Sequence, residues 1–218
     1  MSAHCRICGT PVYDFASQTK PKLVYEVCPS CGFTRLKETF ALSCEDEKKR
    51  YLLHTNSKAD KGYMNWLSVF IDTAVKPILV QSAPGIRILD FGSGPVPVLA
   101  ELLEKLGYSI SIYDPYFAPD TAVLHATYTM IILHEVIEHL AEPHVYLKEL
   151  LPILEHNGYF AMRTQFRPQC DSDFDSFWYR KDPTHRSFFT KQACTLLAEQ
   201  LTCTMSILDK DIVLMKKL

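Results

Sequence analysis

Ile86-Arg87-Ile88-Leu89-Asp90-Phe91-Gly92-Ser93-Gly94-Pro95 is a short apolar run that ends in a glycine turn, and Val98-Leu99-x-x-Leu102-Leu103-x-x-Leu106 behind it carries one apolar helical face. The pattern predicts strand, tight turn, helix. A second strand, Tyr108-Ser109-Ile110-Ser111-Ile112-Tyr113-Asp114, closes on an acid about 20 residues beyond the glycines, the spacing at which an open α/β nucleotide fold brings a carboxylate to ribose hydroxyls. Gly92 and Gly94 lack side chains where ligand and backbone must approach closely. Pro97 stands where the third glycine of the dinucleotide fingerprint belongs, which argues against NAD. Pro95 and Pro97 suit the opening turn of a helix, whose N–H groups lack partners anyway.

Downstream, helix and strand keep alternating. Met130-Ile131-Ile132-Leu133 is a strand that runs into His134-Glu135-Val136-Ile137-Glu138-His139-Leu140. The zinc-protease spacing H-E-x-x-H fails here, because His139 is five residues from His134 and not four. A helix from Pro143 to Glu155 is expected to stop at Asn157-Gly158, before a strand from Tyr159 to Thr164. A last helix, Lys191 to Gln200, precedes the strands Cys203 to Leu208 and Ile212 to Lys217, which Asp209-Lys210-Asp211 joins too closely for a parallel pair. The intervening segment 165–189 carries Arg167, Asp171, Asp173, Asp175, Trp178, Tyr179, Arg180 and His185, and its length and aromatic content predict a substrate lid.

Upstream, Cys5-Arg6-Ile7-Cys8-Gly9 and Cys28-Pro29-Ser30-Cys31-Gly32 repeat one device 19 residues apart. Two residues between thiolates let both face one ion, the following glycine permits the positive φ of the knuckle, and four thiolates close a tetrahedral site. Residues 1–42 therefore read as a zinc ribbon with a structural metal on Cys5, Cys8, Cys28 and Cys31. Ser43 and the acids Glu45, Asp46 and Glu47 open a helix, and a second helical stretch runs from Tyr63 to Leu79. Residues 43–84 form a helical connector, and 85–218 the nucleotide fold.

The whole chain sets bounds on these readings. Its 218 residues hold one sizeable core and at most one small satellite, and a formal charge of −2 supplies no global field toward nucleic acid or an anionic membrane. No apolar run reaches membrane-spanning length and no signal-peptide pattern opens the chain, so a cytoplasmic protein is expected. The cysteines outside the knuckles stand singly in the sequence, as in a reducing compartment. Nothing in the sequence sets an oligomeric state.

Taken together, the two knuckles, Arg50-Tyr51-x-x-His54-x-Asn56, Leu89-Asp90-Phe91-Gly92-Ser93-Gly94-Pro95, Tyr113-Asp114-Pro115-Tyr116-Phe117, Glu135-x-x-Glu138-His139 and Trp178-Tyr179-Arg180-Lys181-Asp182-Pro183-Thr184-His185 resemble the bacterial class I S-adenosylmethionine-dependent methyltransferases that carry an N-terminal four-cysteine zinc ribbon. The resemblance implies an α/β, Rossmann-like, mostly parallel seven-stranded sheet closed by a C-terminal antiparallel hairpin. It implies S-adenosylmethionine as cofactor, with Asp90, Gly92 and Gly94 along its methionine and ribose portion, Asp114 on the ribose, and Ser93, Pro115 and Glu135 as further contacts. The connector, with Tyr51, His54, Asn56 and Tyr63, is expected to fold over that site. Glu138, Trp178, Tyr179 and Arg180 are expected at the acceptor, with His139 and His185 as candidate proton acceptors. Segment 118–128 is too short for the acid that contacts adenine in this class, so that contact stays open. The expected acceptor is a small molecule. Basic and aromatic residues of 165–189 keep an RNA acceptor as an alternative, and a non-catalytic zinc-containing binding protein is a third.

Overall fold

The computed structural model describes residues 3–53, 58–79 and 85–218. In chain order come β1 (Tyr13–Ala16), β2 (Val24–Val27), β3 (Thr34–Leu36), α1 (Cys44–Tyr51) and α2 (Lys61–Phe70), which passes through a π turn (Ile71–Val75) into α3 (Lys76–Leu79). Then follow β4 (Arg87–Phe91), α4 (Val98–Lys105), β5 (Ser109–Tyr113), β6 (Tyr128–His134), α5 (Pro143–Leu150), β7 (Leu154–Arg163), α6 (Asp171–Ser176), β8 (Ser187–Phe188), α7 (Lys191–Gln200), β9 (Cys203–Asp209) and β10 (Ile212–Lys217). Helix starts are chemically marked: the Ser43 hydroxyl accepts from Asp46 N, and the Asp60 carboxylate from Gly62 N and Tyr63 N. Pro77 cannot donate to the turn before it, and the wider π turn immediately upstream coincides with that missing bond. No helix among the described residues is long and apolar enough to cross a membrane.

The large sheet runs β5-β4-β6-β7-β10-β9, with β5, β4, β6 and β7 parallel and β10 antiparallel to both β7 and β9. It has six strands among the described residues, not the expected seven. Between β5 and β6 the chain makes only an Asp114–Ala118 bridge and a 3-10 turn (Thr121–His125), too few residues for a further strand with its crossover helix. The expected stop at Asn157-Gly158 also shifts: β7 already begins at Leu154, and Asn157 is taken up inside it at φ 61°.

Alternate residues of the central strands face opposite ways, as a sheet covered on both sides requires. Ile88, Met130, Ile132 and Ala161 pack beneath Leu67, Phe70, Ala74, Val98 and Leu103. Leu89, Ile131, Leu133, Phe160 and Met162 pack against Leu147, Leu150, Ala193 and Leu197, and the same cluster takes in Cys5, Ile7, Cys28, Cys31 and Phe33 of the ribbon.

The ribbon sheet is continued by the downstream chain. Its order is β1-β2-β3-β8, with Thr34 opposite Phe188 and Arg35 opposite Ser187. Tyr25, Val27 and Leu36 share a core with Phe174, Tyr179 and Phe188. Segment 165–189 is therefore not the open lid its length suggested, since most of its aromatic side chains are consumed in docking the ribbon.

Candidate functional site

At the carboxyl end of β4 the chain turns through Gly92 (φ 82°) and Gly94 (φ 69°), a region that L side chains enter only at a cost. A Cβ on Gly92 would lie 2.6 Å from Val136 Cγ2, whereas one on Gly94 would meet nothing within 4 Å. Asp114, at the end of β5, accepts from Gly94 N at 3.0 Å with Oδ2 and from Tyr116 N and Phe117 N at 2.8 and 3.1 Å with Oδ1. Each oxygen has two acceptor directions, so the carboxylate is fixed in place with one direction, on Oδ2, left for a hydroxyl donor. Asp90 is buried at the bottom of the turn, and burial together with the Asp114 charge pushes its pKa up to about 7. Tyr63, opposite, is raised to about 12 by burial and by Asp90.

These groups line a cavity of about 720 Å³ whose wall also includes Tyr51, Ser93, Pro115, Glu135, His139 and His185. The glycine turn and the two histidines thus open into one space. Where β6 ends, Glu135 adopts φ 55°, an unusual conformation for a non-glycine residue and one found at functional sites. Its Oε2 receives the Tyr179 hydroxyl at 2.8 Å, and the same hydroxyl contacts Glu138 Oε1. One phenolic proton cannot be given to two carboxylates at once. Burial raises Glu138 to about 7, and burial with the Glu138 charge raises Glu135. His139 and His185 stand edge to face at 4.8 Å between ring centres.

Helix α1 closes one side. Tyr51 places its ring edge on His139 at 5.3 Å, Tyr116 donates to Glu47 at 2.6 Å, and Arg50 pairs with Asp182 at 2.8 Å. A second cavity of about 380 Å³ lies beside it, lined by Arg50, Glu135, Trp178, Tyr179, Lys181, Asp182 and His185. Trp178 is 63% exposed at its mouth.

Most of the expected site residues meet at these two cavities. Two expectations differ. Glu138 lines neither cavity, being wholly buried behind His139. Arg180, expected at the acceptor, is wholly buried and pins the chain ahead of β2, donating to the carbonyls of Asp175, Pro21 and Thr19 and pairing with Asp175 at 3.2 Å. A guanidinium without water takes all the acceptors it can reach, and here they belong to the ribbon loop. His54 and Asn56 lie outside the described residues. Glu47, Trp66 and Tyr116 also line the larger cavity and were not read as site residues from sequence, whereas Arg186, which lines it too, was read only as one of the basic residues that keep an RNA acceptor. Tyr116 had a signal in its place two residues after Asp114. His134 is buried against Trp66 and Phe70, with burial and Arg163 depressing its pKa to about 3, so it is a neutral packing residue.

Away from the cavities, the Sγ atoms of Cys5, Cys8, Cys28 and Cys31 lie within 4.8 Å of one another, with Cys5–Cys31 at 3.6 Å and Cys8–Cys28 at 3.4 Å. A tetrahedron with metal–sulfur bonds of about 2.3 Å has edges near 3.8 Å, so the cluster has the size of a four-thiolate metal site. Ile7 N and Cys31 N point at Cys5 Sγ and Cys28 Sγ, each at 3.4 Å, donors that support thiolate charge.

A mostly parallel sheet with a glycine turn and a carboxylate at the carboxyl ends of its central strands is the place where open α/β folds bind their ligands. Residues 56–205 match the methyltransferase domain family, and the chain belongs to it. Its fold is similar to that of an O-methyltransferase family protein from Burkholderia thailandensis, with TM-score 0.54 and 10% identity over 78% of this chain and 62% of that one. It is likewise similar to the pyocyanin biosynthetic protein PhzM, with TM-score 0.51 and 12% identity over 81% of this chain and 60% of that one. The chain therefore spans about three fifths of each neighbour's length. No curated protein matches it in sequence.

Proposed function

We propose that the larger cavity holds S-adenosylmethionine between the glycine turn and α1, and that a small-molecule acceptor enters from the side of His139, His185 and the second cavity. The observation that carries this reading is the continuity of one cavity from Gly92, Gly94 and Asp114 to both histidines. The cofactor supplies a methyl group already activated by a positively charged sulfur. What the chain must add is position and charge. Gly94 leaves its backbone open to the ligand, the preset Asp114 carboxylate takes a ribose hydroxyl on Oδ2, and buried Asp90 faces the cationic methionine end. Tyr51 and Tyr116 cover the site from α1 and the β5 loop, excluding water. His139 or His185 takes the proton of an acceptor that must lose one.

Cys5, Cys8, Cys28 and Cys31 hold zinc in this proposal, a closed site that folds residues 1–42. Residues 43–84 serve as the cover and 85–218 as the catalytic unit. The surface that an RNA acceptor would need is reduced, because Arg180 and Tyr179 are buried.

Calorimetric titration of the zinc-loaded protein with S-adenosylmethionine and NAD in parallel tests the donor site. S-adenosylmethionine binds and NAD does not, and Asp114→Ala weakens binding by at least about 10-fold, as the loss of charge-assisted hydrogen bonds worth roughly 1.5–3 kcal/mol requires. Unchanged affinity in Asp114→Ala would overturn the assignment.

A further inference from the structure

At the acceptor end of the cavity, His139 and His185 line the wall and Glu138 is buried directly behind them. One ring nitrogen of His139, one of His185 and one carboxylate oxygen of Glu138 lie within 4.8 Å of one another, with His139 Nε2 4.0 Å from Glu138 Oε1. Both imidazoles are oriented from behind. Nδ1 of His139 contacts the Thr184 carbonyl at 3.2 Å, and Nδ1 of His185 the Tyr179 carbonyl at 2.7 Å. A carbonyl oxygen only accepts, so each contact places the ring proton on Nδ1 and, in the neutral ring, the lone pair on Nε2, which is how metal-ligating histidines are held. The third donor is held in the same manner. Glu138 is wholly buried, the Tyr179 hydroxyl holds its Oε1, and its Oε2 is shut off from water with no hydrogen-bond partner. The oxygen that faces His139 is Oε1, which keeps a further acceptor direction beside the Tyr179 hydroxyl.

We propose that Glu138, His139 and His185 bind a divalent transition-metal ion that offers its open coordination positions to an oxygen of the methyl acceptor. The inference rests on the reading that this end of the cavity receives the acceptor, and it narrows the acceptor to molecules presenting a hydroxyl or carboxylate oxygen. Two imidazoles and a carboxylate form a donor set that suits zinc, cobalt or iron better than magnesium or calcium. Bonds of about 2.0–2.2 Å bring such donors to within roughly 3–3.5 Å of one another, so the side chains close by about an ångström on the ion. His134 takes no part, because its ring is packed against Trp66 at 4.4 Å. The histidine spacing that fails as a protease motif is replaced by a pair brought together across the fold, 46 residues apart in sequence. With the ion bound, His139 and His185 act as ligands and no longer as proton acceptors.

The test uses full-length protein already carrying zinc on its four cysteines. Titration with Co²⁺, followed by desalting and metal analysis, is expected to show one further equivalent per chain. That equivalent adds no thiolate-to-cobalt absorption in the near ultraviolet, which separates it from exchange at the ribbon. Glu138→Gln and His185→Ala each weaken it by more than about 100-fold, and Tyr179→Phe, which removes only the group behind the carboxylate, by about 10- to 100-fold. Absence of a further equivalent in the wild-type protein overturns the proposal whatever the variants do, as does its survival in Glu138→Gln. S-adenosylmethionine affinity, measured on the same samples, keeps the two readings apart. Intact cofactor binding without the second metal rejects this inference alone, and lost cofactor binding rejects the proposed function.

Discussion

Asp90 sits where a cationic ligand would be felt, and its burial makes that testable through pH. Its pKa is pushed up to about 7 by burial and the neighbouring Asp114 charge, so at neutral pH the unliganded protein holds a proton there about half the time. A cofactor that carries positive charge on its sulfur and amino group favours the ionised carboxylate, so binding must expel that proton. The sign follows: the folded-state pKa lies above the ordinary value, the protonated form dominates below about 7, and affinity falls as pH drops through that value. Each pH unit below it costs about tenfold, or roughly 1.4 kcal/mol, and between pH 7 and about 5.5 the dissociation constant rises roughly 15-fold. Calorimetry in two buffers of different ionisation enthalpy reads the released proton directly, at about half an equivalent at pH 7. Asp90→Asn is expected to bind more weakly at neutral pH and to lose this slope. Glu135 and Glu138 also titrate near the cavity, so the variant is the control that isolates Asp90. Affinity constant within about twofold across this range, or a slope that survives Asp90→Asn, would refute the reasoning.

Two further substitutions probe the scaffold. Gly92→Ala forces an L side chain into φ 82° and sets its Cβ 2.6 Å from Val136 Cγ2. The strain of about 1–2 kcal/mol and a clash of about 1–3 kcal/mol lower the urea midpoint, and adding Val136→Ala recovers only the clash. Full recovery in the double variant would show that the turn does not need glycine. Arg180→Met leaves Asp175 and the ribbon carbonyls without their cation and is expected to cost about 3–5 kcal/mol in chemical denaturation. A loss below about 1 kcal/mol would remove Arg180 from its role in holding the ribbon.

The parts of the fold that sequence discloses are those built from local signals. Asp90 to Pro95, the acid at Asp114, the helix start at Ser43 and the C-terminal strands follow from spacing, capping and turn length, which depend on neighbours in the chain. The paired knuckles were legible for the same reason. The count of six strands among the described residues was not, because the brevity of segment 114–127 was visible but its effect on the sheet edge depends on what β5 finds beside it. Strand β8 is two residues long and has no periodicity to detect, since its pairing comes wholly from β3, more than 150 residues away. Arg180 illustrates how a residue type misleads: arginine among aromatics reads as a ligand contact, and only the folded chain shows that its donors are spent on Thr19, Pro21 and Asp175. The Glu47–Tyr116 and Arg50–Asp182 contacts likewise join elements that no local pattern relates.

Ser187 and Phe188 are borrowed by the cysteine-bearing sheet, and His185 is only two residues upstream of that splice. The height at which this imidazole meets the reaction chamber is thus registered by a hairpin from the opposite end of the polypeptide. A chain lacking residues 1–42 would forfeit its own alignment gauge and bare Phe174 and Phe188 to water. If the four cysteines close on an ion as proposed, a cell starved of it would make copies that possess the full set of side chains at the cavity and lack the keystone that holds them true.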